Sequence, residues 1–230
     1  MTKQIFLLLI GFSVFNSCNQ KQNKIDWVFV EGGTFEQGKN QIIISPKGDT
    51  ISGFTSPNRI VEIDDFYISK YEITVKQFRE FCKSTGREMP DPPIENAYGE
   101  KVYYKWIDDY PMLATWNEAN DFAKWAGGRL AHEYEWEIAS QAGILHDTGI
   151  VWEWCRNVFF PYSGFTAFPY AGYSTPYYDG NHYTLKGGSV YTRTEIKRPT
   201  FRNYYQPDKN FLFAGIRLVF GNGSVDHLDS

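Results

Sequence analysis

Histidine and cysteine are scarce in this chain. Its 230 residues include 4 His and 3 Cys, with no CxxC and no Cys/His pair at the spacing that builds a zinc site. His132, His146, His182 and His227 show no HxxxH spacing, so no helix presents two imidazoles to one metal. Long apolar runs are missing too: nothing in the chain reaches the roughly 20 residues that a membrane-crossing helix needs. Positive charge is not in excess. With 23 Lys+Arg against 27 Asp+Glu, the formal net charge is -4, which removes the global electrostatic case for a nucleic-acid partner. There is no tandem repeat and no second core-building pattern, so one domain is expected.

What the chain has is rings. It carries 16 Tyr, 18 Phe and 7 Trp together with 20 Gly and 11 Pro. That mixture predicts a compact, loop-rich fold pinned by aromatic side chains, packed either as a dense core or as a ring-lined ligand or carbohydrate surface.

The N-terminus reads as a targeting segment. Lys3 precedes a short apolar run, Ile5 to Val14, and Phe15-Asn16-Ser17-Cys18 follows. A small residue just before a cysteine resembles a bacterial lipobox, which predicts a signal peptide over 1–17 and acylation of Cys18. A conventional secretory peptide is the competing reading. Residues 18–24 form a polar tether, 25–220 the domain and 221–230 a flexible tail. The expectation is a lipid-anchored envelope protein at the bacterial outer membrane. In an exported chain Cys82 and Cys155 could pair, or each could pack as a small buried hydrophobe.

In chain order, Trp27–Gln37 predicts strand, turn and strand, Gln41–Thr50 a β-ribbon turning at Pro46–Asp49, and Arg59–Ile68 one alternating strand. Thr74 with Gln77 three residues on is a capping box. It precedes a helix whose face is Val75, Phe78, Phe81 and Cys82 and which stops at Gly86. A proline-containing loop leads to a short strand, Lys101–Trp106. Pro111–Ser140 predicts a helical hairpin. Its first helix is capped by Asn117 and ends at Gly127-Gly128, and the second starts near Glu133, with Glu135 reaching back to His132. Trp125 and Trp136 are expected to be largely buried, and Glu133, Glu135 and Glu137 to lie on the helix surface or at its cap. Leu185–Val190 and Ala214–Phe220 read as strands.

Six segments, GGTFEQG, SKYEITVKQFREFC, PMLATWNEANDFAKWAGGRLAHEYEWEIAS, VWEWCRN, LKGGSV and AGIRLVF, occur in an order that resembles the formylglycine-generating enzyme (sulfatase-modifying factor) family. This family also holds ergothioneine sulfoxide synthase domains and noncatalytic relatives. The resemblance runs from about Val28 to Phe220. It implies an α+β fold related to C-type lectins, with much irregular structure. Ala131 and His132 depart from the usual turn proline and capping threonine. The resemblance also places Glu153 near a structural calcium site of some members, although the asparagine-bearing loops that complete such a shell are shortened here. The resemblance leaves calcium at Glu153 open, and the scattered histidines leave iron open.

The family's formylglycine chemistry runs through a cysteine pair that binds copper and the substrate thiol. Counting from Gly187-Gly188-Ser189, those positions fall on Thr192 and Lys197. Neither side chain is a soft Cu(I) ligand, so no copper and no catalytic residue are expected. The iron-dependent route needs a histidine cluster that the family supplies on a separate helical domain. One further feature is local: Lys186–Arg217 contains seven Lys+Arg and two Asp+Glu, a net of +5, interleaved with rings. In the family this segment lines the active groove. Tyr191, Arg193, Arg198, Arg202 and Tyr204 are the candidate groove residues for an anionic glycan, a peptide or an envelope protein. The competing reading is that the arginines satisfy backbone carbonyls inside an irregular fold. The favoured function is a noncatalytic, lipid-anchored binding or structural component. The alternative is a family oxidoreductase that does not depend on the cysteine pair.

Overall fold

Local chemistry starts each helix. The computed structural model describes residues 25–39, 43–44, 50–51, 57–95, 99–165 and 177–221. Cys18, the tether, His227 and most of the tail therefore lie outside the described residues. In α1 (Val75–Thr85), Thr74 accepts a hydrogen bond from the Gln77 amide, and the Gln77 side chain accepts one from the Thr74 amide. This is the expected capping box, and Val75, Phe78, Phe81 and Cys82 are the buried face. Thr74→Ala is expected to lower stability by about 1 kcal/mol. A loss indistinguishable from zero in urea unfolding would show that this cap is not limiting.

The helix α2 (Trp116–Trp125) is capped by Thr115, whose partner is Glu118. Asn117, the expected cap, lies inside the first turn, because Thr115 and Glu118 stand at the reciprocal three-residue spacing. Rings join α1 to α2: Phe78 stacks on Phe122 at 5.6 Å, and Phe81 meets Trp125 at 5.5 Å. Trp125 is only half-buried, while Trp136 is buried as expected.

The expected hairpin has a strand in its middle. β7 (Arg129–Leu130) separates α2 from α3 (Glu133–Gln141) and pairs with β12 (Leu218–Phe220). In α3, His132 Nδ1 accepts from the Tyr134 amide at 3.4 Å, and Glu135 accepts from the His132 amide at 2.7 Å.

Two four-stranded sheets carry the rest. The first has the order β1 (Trp27–Val30), β6 (Phe66–Ser69), β12, β7, with every pair antiparallel. The second has the order β10 (Asn203–Tyr205), β9 (Tyr183–Lys186), β8 (Trp152–Val158), β11 (Ala214–Gly215). Only β11 with β8 is parallel in it. β2 (Gly33–Gln37) pairs with β5 (Arg59–Ile63), and β3 (Ile43–Ile44) with β4 (Thr50–Ile51). The last pair is the expected ribbon, and its turn lies outside the described residues.

Three strand expectations are corrected. Arg59–Ile68 divides into β5 and β6 at Asp64-Asp65, and each half joins a different sheet. Ala214–Phe220 divides at Ile216-Arg217, so the chain crosses from the second sheet to the first. Lys101–Trp106 forms only an isolated bridge between Glu95 and Lys101. Cys82 and Cys155 are free and buried, so they are packing groups and not a disulfide. Burial pushes both thiols above their ordinary pKa.

Candidate functional site

The glutamates of α3 are inside the protein, which corrects their reading as helix surface. Seven of the nine residues of α3 are buried, including Glu133, Glu135 and Glu137. A buried carboxylate has to be paired: Arg129 holds Glu135 at 2.6 Å, and the basic segment supplies the partners of Glu133, Glu137 and the buried Glu153 of β8. Arg202 Nε donates to Glu133 Oε2 at 2.5 Å and Nη2 to Oε1 at 2.8 Å. Lys186 Nζ lies 2.9 Å from Glu137 Oε2. Arg217 Nε lies 2.5 Å from Glu153 Oε2 and Nη2 lies 2.9 Å from Oε1. Burial alone would raise the Glu133 carboxyl, but the charges of Arg202 and Lys186 outweigh it and hold it below the usual carboxylate range. Burial likewise lowers Arg217, and Glu153 reverses the direction.

These pairs correct two expected site roles. Arg202 is not a groove residue: it is buried, and its guanidinium lies over Phe159 and Tyr162 at 4.6 and 4.3 Å. Glu153 spends both oxygens on Arg217 and also accepts from Trp136 Nε1 at 2.6 Å. Its neutralising cation is therefore Arg217, where the resemblance suggested calcium. Among the described residues no group of three His, Cys, Asp or Glu is placed to hold a metal ion.

Beside this charged core lies a cleft of about 310 Å³, near the lower end of the ~300–1,000 Å³ range of small-ligand sites. Trp152 of β8 forms one wall. Asn203 and Tyr205 of β10 form another, and the loop that follows β9 brings Ser189, Tyr191, Thr192 and Arg193. Phe201, Phe211 and Phe213 complete a lining that is half aromatic. Tyr191 meets Phe213 edge-on at 4.7 Å. The loop takes its course from Gly187 and Gly188, with φ of 90° and 86°. A Cβ on Gly188 would sit 2.8 Å from Lys197 Cγ, and one on Gly187 would sit 3.1 Å from the Trp136 ring.

The expected groove residues separate. Tyr191 and Arg193 line the cleft, with Arg193 exposed and its Nε 3.5 Å from Glu195 Oε2. Arg198 is half-buried and bonds Thr200 Oγ1 at 3.2 Å, away from the lining. Tyr204 packs on Phe159 and Tyr177, at 4.5 and 4.9 Å. It faces away because alternate residues of a strand point to opposite sides, and its neighbours Asn203 and Tyr205 take the cleft side. Trp152, Asn203 and Phe213 were not among the expected groove residues. The alternation of β10 was the available signal for Asn203 and Tyr205. Nothing local pointed to Phe213.

The two positions that the chemistry would need are built into the scaffold. Thr192 Oγ1 accepts from the Ser189 amide at 2.8 Å and lies 3.2 Å from Ser189 Oγ. Lys197 Nζ donates to the Gly149 carbonyl at 2.9 Å. Thr192 reaches the cleft, while Lys197 braces the loop from behind.

An α+β domain built around two four-stranded sheets, with a ring-walled cleft beside the loop after β9, defines the class of protein. The family model for the sulfatase-modifying factor enzyme 1-like domain matches residues 13–148 and 145–221, and the chain belongs to this family. It is 26% identical to a hercynine oxygenase of Mycolicibacterium smegmatis, over 84% of this chain and 60% of that protein. It is 28% identical to a formylglycine-generating enzyme of Thermomonospora curvata, over 51% of this chain and 49% of that one. The chain thus spans about half to three-fifths of the length of these relatives. A solved structure of PvdO from Pseudomonas aeruginosa superposes with a TM-score of 0.68 at 17% identity, covering 90% of this chain and 97% of that one. That likeness concerns the fold alone.

Proposed function

We propose that this protein is a lipid-anchored member of the family that acts by binding at the cleft between Trp152 and Phe213, without cysteine-pair chemistry. The observation that carries this reading is the state of Thr192 and Lys197. Thr192 is hydrogen-bonded to Ser189 and Lys197 to the Gly149 carbonyl, at the places where the resemblance puts the two thiolates. The ligand is a ring-bearing molecule of low charge, such as a sugar or an aromatic residue of an envelope protein. An anionic glycan, as expected from the basic segment, fits less well, because Lys186, Arg202 and Arg217 are turned inward to carboxylates. Among the described residues that line the cleft, Arg193 is the cation.

Titration with cell-wall glycan fragments and tyrosine-containing peptides, read by intrinsic fluorescence, tests this. Trp152→Ala is expected to weaken binding about tenfold or more, as the loss of a central aromatic contact does. Binding that is unchanged in Trp152→Ala places the ligand elsewhere.

The relatives support a second reading, an oxidoreductase of the family in which the same cleft presents a small substrate for oxidation. Hercynine oxygenases and formylglycine-generating enzymes are both among the similar proteins. The donors among the described residues do not fit a resident metal: His132 is used at a helix cap, and His182 Nδ1 lies 2.9 Å from Asp179 Oδ1. The oxidising centre would therefore have to be held by groups other than these. Metal analysis of the protein purified from its native membrane separates the readings. Stoichiometric copper or iron would sink the binding-only proposal. No conversion of a sulfatase-type cysteine peptide to formylglycine is expected. Conversion that disappears in Cys82→Ser or Cys155→Ser would mean that the active positions lie elsewhere.

A further inference from the structure

One face of the first sheet is exposed at one end, where it is aromatic, while Ser69, Leu130 and Leu218 on the same face are buried. Phe29 pairs with Tyr67 across β1 and β6, and Tyr67 pairs with Phe220 across β6 and β12. The three rings therefore form one row across three strands, and their exposures are 48%, 44% and 55%. Phe29 and Tyr67 are in ring contact at 5.3 Å, and Trp27 closes the row against Phe220 at 6.1 Å. Sheet faces that meet water ordinarily alternate to polar residues, and an exposed contiguous apolar patch of this kind marks a docking surface.

The place of this face in the chain selects its occupant. β1 begins at Trp27, nine residues after Cys18. A fully extended chain spans at most about 3.5 Å per residue, so a lipid on Cys18 holds β1 within roughly 30 Å of the bilayer surface. It is the first element of the fold to come within reach of the anchor. Tryptophan, tyrosine and phenylalanine suit the boundary between headgroups and acyl chains, where a ring is apolar on its body and polar at its edge. The carboxylates Asp26 and Glu31, exposed on either side of β1, disfavour a strongly anionic surface.

We propose that the Trp27, Phe29, Tyr67 and Phe220 face lies against the membrane, on zwitterionic lipid, and holds the domain down on the bilayer that the Cys18 lipid anchors. This rests on the lipoprotein reading above. None of these four residues lines the Trp152 cleft, so the lipid contact is separate from it.

The test uses the full lipidated chain in phosphatidylethanolamine/phosphatidylcholine vesicles that carry a nitroxide at a shallow acyl position. The fluorescence of Trp27 is read as the difference between wild type and Trp27→Phe. The expected result is a fall of about twofold or more in that difference when the nitroxide is present, as for a ring at the interface. The effect should disappear in Phe29→Ser/Tyr67→Ser/Phe220→Ser and in the single Tyr67→Glu, while both variants still float with the vesicles and keep the wild-type unfolding midpoint. Unquenched Trp27 in a floating wild-type chain overturns the docking and leaves the anchor standing. Trp27 shielded by self-association in detergent, with no quenching in vesicles, assigns the face to a second copy and also overturns it. Flotation that is unaffected by Cys18→Ala refutes the anchor instead, and the Trp27 quenching then still decides the face.

Discussion

Arg217→Met is expected to destabilise the fold by on the order of 3–5 kcal/mol, the cost of leaving a buried charge without its partner. Arg217 stands where the chain leaves the second sheet for the first. Its Nη1 donates to the carbonyls of Ser69 and Lys70 at 2.9 and 2.7 Å, and Nη2 to that of His146 at 3.0 Å. The same guanidinium holds both oxygens of Glu153. Methionine fills much of the volume but leaves three carbonyls and one carboxylate without these donors. Among the described residues, Glu153 would keep the Trp136 indole as its side-chain donor. Replacing both members, as Glu153→Leu/Arg217→Met, should cost less than Arg217→Met alone, because no uncompensated charge remains. Urea unfolding of the four-member cycle measures this. A single-mutant loss below about 1 kcal/mol, the range of exposed pairs, would mean that water reaches Glu153.

The second large effect concerns Glu72. It is buried, and neither carboxyl oxygen has a hydrogen-bond partner among the described residues. Burial is the main reason that its pKa is raised to about 9, and the charge of Glu153 adds to it. Arg217 and the backbone of Val151, which stays outside hydrogen-bonding geometry, offset this only in part. Glu72 therefore keeps its proton in the fold, while the unfolded chain releases it near 4.5. Its contribution to stability is fully present below about 4.5, is lost progressively as the pH rises toward 9, and then levels off. Glu72→Gln removes this slope. At pH 9 the variant is expected to exceed wild type by on the order of a few kcal/mol, with little difference at pH 4.5. Parallel pH profiles for the two proteins would show that Glu72 is solvated or paired.

Much of the fold was legible because its signals are local. The Thr74–Gln77 capping box and the face of α1 need only the consecutive residues Thr74 to Cys82. The ordered segments gave the family, and the Gly187-Gly188-Ser189 landmark located Thr192 and Lys197. The strand divisions were not legible, since one alternating run can serve two sheets whenever a short kink intervenes. Asp65 makes such a kink favourable by accepting the Gly32 amide at 2.7 Å, a contact 33 residues away in sequence. The groove was half legible. Tyr191 and Arg193 belong to it, whereas Tyr204 faces away and Arg202 is withdrawn.

The sequence by itself determined the family, the starts of α1 and α3 and the absence of thiols at Thr192 and Lys197, because each depends on residue identity at short spacing. Only the tertiary structure decided where the charges went. Glutamate and arginine default to the surface, and their pattern along α3 or β10 says nothing of a partner. Glu137 meets Lys186 across 49 residues, Glu153 meets Arg217 across 64 and Glu133 meets Arg202 across 69. Chain folding alone brings these groups together, and the low dielectric around them is what makes each pair necessary. A segment that reads as a basic surface is therefore largely an internal scaffold, and the cleft beside it is left to its rings.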